Sequence, residues 1–357
     1  MKIIFRFLLL FALRSSAQNL SAYTDPRDIF HVFSDSTTHQ ADYLKPVSFQ
    51  VGRNCVAFID NTKSFKIDYK NTVTKINEGF TTDYSVSSNL VFFRSNNSAY
   101  VWDNGKTSLL AAVCSRVFAA DSFIAFYDDR NFDFNIYYKG QIETLISGSN
   151  GDPVGLAEAG DNIFAWTDAY GNFRIWHNGE NTDQDNRAPL RISAGKNTIA
   201  YISYNNEFKI CYKGETYDIE PFASKRFFAA DDLVGFVTSA GEFEIFYDGK
   251  ITDVGFYTPQ NLSLRDNMLC WTDEAGLFFV FYKGVITQLE NYYPSKVELS
   301  ENSVLWIDQN DRTNFFSFGK KYQLPADNIT SIRLDYDVLQ YNLGLNDFHF
   351  YYQGKHW

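Results

Sequence analysis

Aspartate residues recur at the start of similar polar turns along the chain. Each of five follows a short apolar segment: Asp60, Asp128, Asp168, Asp273 and Asp308. Carboxylates that converge at one end of a fold could bind a cation, or act as the acid and base of glycan cleavage. Aspartate also begins turns because its carboxylate accepts hydrogen bonds from nearby backbone N–H groups, and this structural role is the more common one.

One of these turns is longer than the others. The segment Y-D-D-R-N-F-D extends the turn at Asp128, and the next connection, I-S-G-S-N-G-D-P-V-G, is expanded as well. Departures from a repeat are where function is often grafted, although a surface loop also tolerates insertion without a role. The candidate ligand-binding residues, suited to a cation, a sugar or a peptide, are Asp128, Asp129, Arg130, Asn131, Asn150 and Asp152.

Other signatures of catalysis are missing from the sequence. It contains no G-x-S-x-G, H-E-x-x-H, Walker or dinucleotide-binding motif. Its four cysteines lie far apart without a C-x-x-C pair, so neither a metal nor a redox motif is indicated. We therefore expect no cofactor, with a bound cation such as calcium as the one alternative, and no catalytic residue is assigned.

An aromatic residue recurs at nearly constant spacing and sets the fold. Most intervals between the nine members are 35 residues: Phe58, Phe93, Phe126, Trp166, Tyr201, Phe236, Trp271, Trp306 and Tyr341. Four residues before each stands Asn, Asp or Ser, which favour tight turns. A third segment then has apolar residues at every second position and ends at a glycine, as in Phe243 to Gly249.

Each repeat therefore predicts four short antiparallel strands, a to d, that are too small to bury both faces alone. Radial stacking solves this problem, and the prediction is an all-β β-propeller of four-stranded blades with about 35 residues per blade. Nine repeats are counted, with eight as the alternative. The last repeat stops soon after Gly354, so the segment F-H-V-F-S-D-S-T-T-H-Q-A-D from Phe30 is expected to supply its outer strand and close the ring.

One stretch resembles a known family. Ile124-Ala125-Phe126-Tyr127-Asp128-Asp129-Arg130, followed by Asn135-Ile136-Tyr137, is similar to the repeats of TolB-like bacterial β-propellers. The resemblance implies the propeller fold and a scaffold role outside the cytoplasm. It implies no functional residue.

The N-terminus predicts export. Lys2 and Arg6 precede an apolar run, and small residues follow as far as Ala17, so residues 1–17 are expected to form a signal peptide. Residues 18–357 would then form a single propeller domain, with 18–47 as its N-terminal segment, in a periplasmic or secreted protein. No segment of this chain is long and apolar enough to predict a membrane span.

Charge narrows the expected partners. The net charge is −11, and removal of residues 1–17 takes away three basic residues and no acid. A surface this acidic repels nucleic acid. We expect a monomer that binds a protein or a glycan on the face formed by the b–c turns and the d-to-a connections.

Three hypotheses follow from the sequence. The preferred one is a non-catalytic binding scaffold. The second is a glycan-active hydrolase or lyase with carboxylates on the same face, which would require two of them about 5 to 10 Å apart, one with a raised pKa. The third is a structural part of an envelope assembly.

Overall fold

A computed structural model describes residues 19–148, 154–324, 329–344 and 347–357. The predicted signal peptide, residues 1–17, lies outside the described residues. Within them the chain forms ten antiparallel sheets, each made of consecutive strands. The prediction of an all-β propeller with four-stranded antiparallel blades is confirmed.

The blades are numbered in chain order, and each lists its strands from the inner to the outer edge. Blade 1 is β1 (Leu20–Thr24), β2 (Phe30–Ser34) and β3 (Thr37–Asp42); blade 2 is β4 (Ser48–Val51), β5 (Cys55–Ile59), β6 (Ser64–Tyr69) and β7 (Thr72–Glu78); blade 3 is β8 (Thr81–Val86), β9 (Leu90–Ser95), β10 (Ser98–Asp103) and β11 (Lys106–Ala111); blade 4 is β12 (Cys114–Ala119), β13 (Phe123–Asp128), β14 (Asp133–Tyr138) and β15 (Gln141–Ile146); blade 5 is β16 (Val154–Ala159), β17 (Ile163–Asp168), β18 (Phe173–His177) and β19 (Glu180–Asp185).

The second half of the ring repeats the same arrangement. Blade 6 is β20 (Arg191–Ala194), β21 (Thr198–Ile202), β22 (Phe208–Tyr212) and β23 (Glu215–Glu220); blade 7 is β24 (Arg226–Ala230), β25 (Leu233–Val237), β26 (Phe243–Tyr247) and β27 (Lys250–Gly255); blade 8 is β28 (Gln260–Arg265), β29 (Met268–Thr272), β30 (Phe278–Tyr282) and β31 (Val285–Glu290); blade 9 is β32 (Lys296–Leu299), β33 (Ser303–Ile307), β34 (Thr313–Ser317) and β35 (Lys320–Gln323); blade 10 is β36 (Ser331–Asp335), β37 (Val338–Asn342), β38 (Phe348–Tyr352) and β39 (Lys355–His356).

Blade 7 shows why the repeat folds in this way. Phe243 and Ile245 stand on either side of Glu244 in β26, point to the same face of the sheet and are fully buried against the neighbouring blade. The turn after β26 places Asp248 and Gly249 at positive φ, 46° and 78°, which matches the type I′ hairpin that such residues favour. Phe243 meets Trp271 of blade 8 edge to face at 5.4 Å, so the blades share one aromatic core.

The turn-forming residues also connect neighbouring blades. The backbone N–H of Asn197 donates to the carbonyl of Asp231 in the next blade at 3.0 Å. The side chain of Asn162 donates to that of Asn197 at 2.6 Å, and Asn197 donates to Asp232 at 2.7 Å. These hydrogen bonds join the turns of neighbouring blades. The sequence predicted the turns from local residue preferences, which say nothing about contacts between blades.

The predicted blade count of nine, or eight, was wrong. β1, β2 and β3 pair with one another and form a blade of their own, rather than giving an outer strand to the last repeat. Blade 10 has its own short outer strand, β39. The missed signal is that Asn19 and Tyr23 stand one 35-residue step before Asn54 and Phe58.

The N-terminal blade lies between the last and the second blades. Phe33 stacks on Phe350 of blade 10, with ring centroids 4.1 Å apart, while Phe30 meets Phe58 of blade 2 at 5.1 Å. The ring is therefore closed through blade 1 as a whole.

All four cysteines are buried and unpaired. Across the described ranges, no helix is long and apolar enough to cross a membrane.

Candidate functional site

Meander topology places the turns on two faces of the ring. The a–b and c–d turns share one face, named here the hairpin face. The b–c turns and the blade-to-blade connections share the other, named the loop face. The two faces expose different types of residue.

The predicted ligand residues on the loop face are engaged in local hydrogen bonds. Asp128 accepts from the backbone N–H of Arg130 and from the side chain of Asn131, both at 2.9 Å. The carboxylate of Asp129 accepts from the backbone N–H and the hydroxyl of Ser115 at 2.6 and 2.8 Å. Asn150 and Asp152 fall outside the described residues, so the predicted patch is seen only in part.

The equivalent aspartates of other b–c turns play the same structural role. Asp168 accepts from the backbone N–H groups of Tyr170 and Asn172, both at 2.9 Å. Burial by itself would raise the pKa of Asp168, but these hydrogen bonds and the nearby Arg174 guanidinium lower it. The pKa values of Asp60 and Asp308 are also lowered, because hydrogen bonds outweigh burial.

The loop face carries a concentration of exposed apolar side chains. Among the described residues, no exposed large apolar side chain lies in an a–b or c–d turn. Five of those outside the loop face lie on outer strands and one, Leu156, on an inner strand. The loop-face members are Tyr43, Leu44, Val47, Phe80, Val113, Phe132, Tyr170, Leu190, Tyr204, Phe222, Phe256 and Tyr293.

Several of these side chains are almost fully accessible to solvent. Tyr170 is 91% exposed, Phe256 72% and Phe222 62%. The guanidinium of Arg187 lies 3.9 Å from the ring centroid of Tyr204, which pre-positions a cation and an aromatic ring together. The sequence pattern predicted the turns of this face but not the apolar residues in its connections, because an isolated apolar residue in a loop carries no periodic signal.

The hairpin face is polar, in contrast to the loop face. The first residue of each a–b turn is a polar residue that lies close to the axis of the ring. The backbone N–H of Ser88 donates to Asp121 of blade 4 at 2.7 Å. Arg53 of blade 2 pairs with Glu301 of blade 9, across the two blades that separate them. The series is Arg53, Ser88, Asp121, Asp161, Lys196, Asp231, Asp266, Glu301 and Tyr336.

Three carboxylates of this series meet at the axis. One oxygen from each of Asp161, Asp231 and Asp266 lies within 4.8 Å of the others. Burial and the neighbouring carboxylates raise the pKa of Asp161 to about 8. They raise the pKa of Asp231 to about 7, against the opposing effect of Lys196 at 3.9 Å, and burial raises that of Asp266.

This arrangement, the axial acid cluster, has two chemical consequences. It holds protons near neutral pH, because three close carboxylates cannot all ionise. Its oxygens are also of the type that hard divalent cations prefer. A cavity of about 220 Å³ lies beside it, lined in part by Asp121, Arg265 and Tyr336. The sequence did not reveal the cluster, because acids that are 35 or 70 positions apart in the chain carry no information about their distance from the axis of the ring.

Comparison with known proteins identifies the family. The family model for the 10-bladed beta propeller domain matches residues 14–357. No curated protein matches. The similarity to TolB-like repeats stays a prediction.

Similar solved structures share little sequence. The computationally designed Ika8 protein is 14% identical, with a TM-score of 0.35, over 76% of this chain and 96% of that one. PorZ, a surface component of the type IX secretion system of Porphyromonas gingivalis, is 10% identical, with a TM-score of 0.30, over 93% and 57%. A eukaryotic initiation factor is 9% identical, with a TM-score of 0.43, over 83% and 93%. None of these values supports a transfer of function.

Proposed function

The chain belongs to the 10-bladed β-propeller family, and we propose that it is an exported, non-catalytic scaffold that binds a protein on its loop face. The observation that supports this proposal is the set of exposed apolar side chains on that face. Exposed apolar side chains that collect on one surface of a soluble protein favour a binding role for that surface.

The distribution of these side chains favours a broad contact. They come from most of the blade-to-blade connections, and Tyr170, Phe222 and Phe256 belong to three different turns or connections. A partner touching several of them would span neighbouring blades. A cavity on this face beside Pro221 has a volume of about 250 Å³, which is below the usual range for a small-molecule site. A macromolecule therefore suits the surface better than a small ligand.

The residue types favour a protein over a glycan. Aromatic residues and arginine are enriched at protein interfaces, where they provide large contact areas with little loss of side-chain entropy. The stacked pair of Arg187 and Tyr204 has this character. An aromatic ring can also stack on a sugar, so glycan binding is the outcome against which the proposal is tested.

The hydrolase alternative is less well supported. A catalytic acid on the loop face needs a raised pKa, whereas those of Asp60, Asp168 and Asp308 are lowered. Carboxyls with a raised pKa occur at several places in the ring, among them Glu244 on β26, whose pKa is raised by burial and by the nearby Glu242 and Glu220. The three acids of the axial acid cluster, on the hairpin face, also have raised pKa values, and their oxygens lie within 4.8 Å of one another. That is closer than the separation of about 5 Å or more that glycosidase pairs use.

The test compares two matched triple variants. Tyr170→Ser, Phe222→Ser and Phe256→Ser remove apolar groups from the loop face, while Ile142→Ser, Ile251→Ser and Val285→Ser remove exposed apolar groups from outer strands. The wild-type chain is used to capture partners from the exporting cell, and the partner found is then purified. Loss of several interface anchors should weaken its binding at least about tenfold.

The control triple variant should bind like the wild type. Equal weakening by both variants would overturn the proposal, and so would binding on a glycan array with no protein partner. Export is tested separately by sequencing the N-terminus of the secreted or periplasmic protein, where Gln18 is the expected first residue. The proposal includes no cofactor, and its alternative is a cation such as calcium, for which Asp161, Asp231 and Asp266 are the described residues with suitably close oxygens.

A further inference from the structure

Blade 7 departs from the other blades at one position of its third strand. In every blade the recurring aromatic residue of strand b is paired with a residue of strand c, as Phe236 is with Glu244 in blade 7. Four blades have a neutral residue at that position of strand c: Tyr100, Asn135, Phe279 and Asn314. Glu244 is the only acid among the ten residues.

The other five blades have a basic side chain at this position. Each of these side chains pairs with an acid of the b–c turn in its own blade. The pairs are His31 with Asp25 at 3.3 Å, Lys66 with Asp60 at 2.9 Å, Arg174 with Asp168 at 3.7 Å, Lys209 with Glu207 at 3.1 Å and His349 with Asp347 at 3.1 Å. In half of the blades, therefore, strand c supplies a partner for the acid of the turn.

Blades 5 and 6 add a second acid, from the outer strand. Arg174 is paired with Asp183 in the sheet, and its Nε lies 2.8 Å from the carboxylate. In blade 6, Nζ of Lys209 lies 3.0 Å from Asp218 and 3.1 Å from Glu207. Hydrogen bonds to Asp218 and Glu207 raise the pKa of Lys209 to about 12. One ammonium group thus binds two carboxylates that strands and turn hold around it.

Blade 7 keeps the two acids of blade 6 and replaces the cation. One 35-residue step after blade 6 stand Glu242, Glu244 and Asp253, where blade 6 has an acid, a lysine and an acid. Glu244 is paired directly with Asp253, and like charges opposite one another destabilise a sheet. Glu220, at the end of the outer strand of blade 6, accepts from the backbone N–H of Ser239 at 3.1 Å. These four carboxylates are named the blade 7 acid group: Glu220, Glu242, Glu244 and Asp253.

The charges that act on Glu244 are all negative. Burial raises its pKa, and Glu242, Glu220 and Asp253 raise it further. Lys225 is close to the same turn, since its Nζ would lie 3.3 Å from a Cβ placed on Gly241. It is not among the groups that shift the pKa of Glu244. The position that a lysine occupies in blade 6 therefore has carboxylates around it in blade 7 and no cation of this blade within it.

Two exposed aromatic side chains of the loop face flank the blade 7 acid group. Phe222 is 62% exposed and stands two positions after Glu220. Phe256 is 72% exposed, and its ring would lie 3.9 Å from a Cβ on Gly241 in the b–c turn of blade 7. An acidic group between exposed rings is complementary to a basic side chain with apolar neighbours.

The spacing of the carboxylates suits a side-chain cation better than a metal ion. Among the described residues, three carboxylate oxygens within 4.8 Å of one another are found in the axial acid cluster, and the blade 7 acid group does not meet that distance. A metal ion needs its oxygen ligands at about 2 to 2.6 Å, which requires such close oxygens. Lys209 shows that an ammonium group can bridge the wider arrangement.

We propose that the protein partner of the loop face inserts a lysine or arginine side chain into the blade 7 acid group and places apolar residues on Phe222 and Phe256. The inserted cation takes the place that Lys209 fills in blade 6. This inference rests on the proposed function and specifies the chemistry of the partner. Charge pairs of this kind contribute specificity and register, while the aromatic rings contribute contact area.

The test selects peptides from a random display library against the full-length protein. Peptides that bind the loop face should contain a lysine or arginine beside an apolar residue. Replacing that basic residue by glutamine in a synthetic copy of the peptide should weaken binding at least about tenfold. Binding should also weaken as salt is added, because salt screens the attraction between exposed charges. These measurements leave the protein unchanged, so they do not depend on the folding of a variant.

Variants of the protein then locate the cation. Glu244→Lys should weaken binding of the same peptides at least about tenfold, because its ammonium group would occupy the position itself. It should also raise the melting temperature by about 1 to 2 °C, because repulsion between carboxylates is replaced by attraction. The matched control is Glu143→Lys, which makes the same change of charge at an exposed position on β15. The control should bind the peptides like the wild type.

The possible results separate this inference from the proposed function. Peptides that lose binding to the Tyr170→Ser, Phe222→Ser and Phe256→Ser triple variant but not to Glu244→Lys would overturn this inference and leave the proposed function standing. Equal weakening by Glu244→Lys and Glu143→Lys would overturn it as well, because the attraction would then be general. Displacement of the peptides by calcium in the wild type, but not in Glu244→Lys, would show a metal site instead. Peptides that bind the wild type and the triple variant alike would contradict both proposals.

Discussion

Replacing Asp161 by Asn should stabilise the protein at alkaline pH. In the folded state the carboxyl keeps its proton up to a pKa of about 8, because burial and the nearby carboxylates Asp121, Asp231 and Asp266 disfavour its charge. In the unfolded chain the group ionises near its ordinary value of 3.8. Since the folded pKa is raised, this group's contribution is fully present below pH 3.8 and is lost as the pH rises towards 8.

The size of the effect follows from that interval. A difference of about four pKa units corresponds to about 5 kcal/mol at pH 8, after allowance for half-ionisation in the folded state. Asparagine has nearly the same shape and cannot ionise, so the variant avoids this loss. Because Asp161 titrates together with the neighbouring carboxyls, part of this free energy belongs to those groups and is not recovered by changing Asp161 alone. We therefore expect Asp161→Asn to raise the free energy of unfolding by about 2 to 5 kcal/mol at pH 8 and by little at pH 4.

Urea unfolding at pH 4, 6 and 8 measures this difference, with Asp168→Asn as the control. The pKa of Asp168 is lowered by hydrogen bonds from Asn172 and Tyr170 despite its burial. Its contribution to stability is present above pH 3.8 and is lost as the pH falls below it. The control should therefore be destabilised at pH 8. An Asp161→Asn variant no more stable than wild type at pH 8, with the same dependence on pH, would refute the charge-repulsion argument.

Three other outcomes are expected. Gly195→Ala should lower the free energy of unfolding by about 3 kcal/mol or more, because its Cβ would lie 1.7 Å from a carbonyl oxygen of the next blade. Gly276→Ala, in open space at a φ of 81°, should lower it by only about 1 kcal/mol, and thermal unfolding of both variants measures this difference. Cys270 should not react with a thiol reagent at pH 8 until the protein is unfolded, since complete burial raises the pKa of its thiol; a time course of thiol labelling, with and without denaturant, checks this. The imidazole of His356 should titrate below 6.5 by NMR, because burial and the adjacent His349 lower its pKa, and His349→Asn should shift that midpoint upwards; an unchanged midpoint would contradict the contribution of His349.

Sequence reasoning reached the propeller because its evidence is local. An aromatic residue every 35 residues, a turn former four positions earlier and an alternating third strand each specify structure within one blade. The same reasoning failed at the ends of the chain. Tyr23 continues the aromatic series, but the described part of blade 1 begins at strand b, and this repeat was taken for an outer strand of the last one.

The candidate sites also fall into those that the sequence predicted and those that it did not. Turn aspartates such as Asp128 and Asp168 were found from their position, and the structure places their carboxylates in the local hydrogen bonds that aspartate commonly makes in turns. The hydrogen bond from Arg333 to the carbonyl oxygen of Ala22 gave no sequence signal, since the two residues lie 311 positions apart in the chain.

The amino-acid sequence by itself determined that this protein is built from small, similar antiparallel sheets, because hairpin turns and alternating burial are decided within a few residues. Only the tertiary structure decided how many blades the ring holds, which turn residues meet at its axis and what closes it. Those properties depend on the angle and distance between blades. They arise when aromatic faces pack and backbone edges find partners across the whole chain.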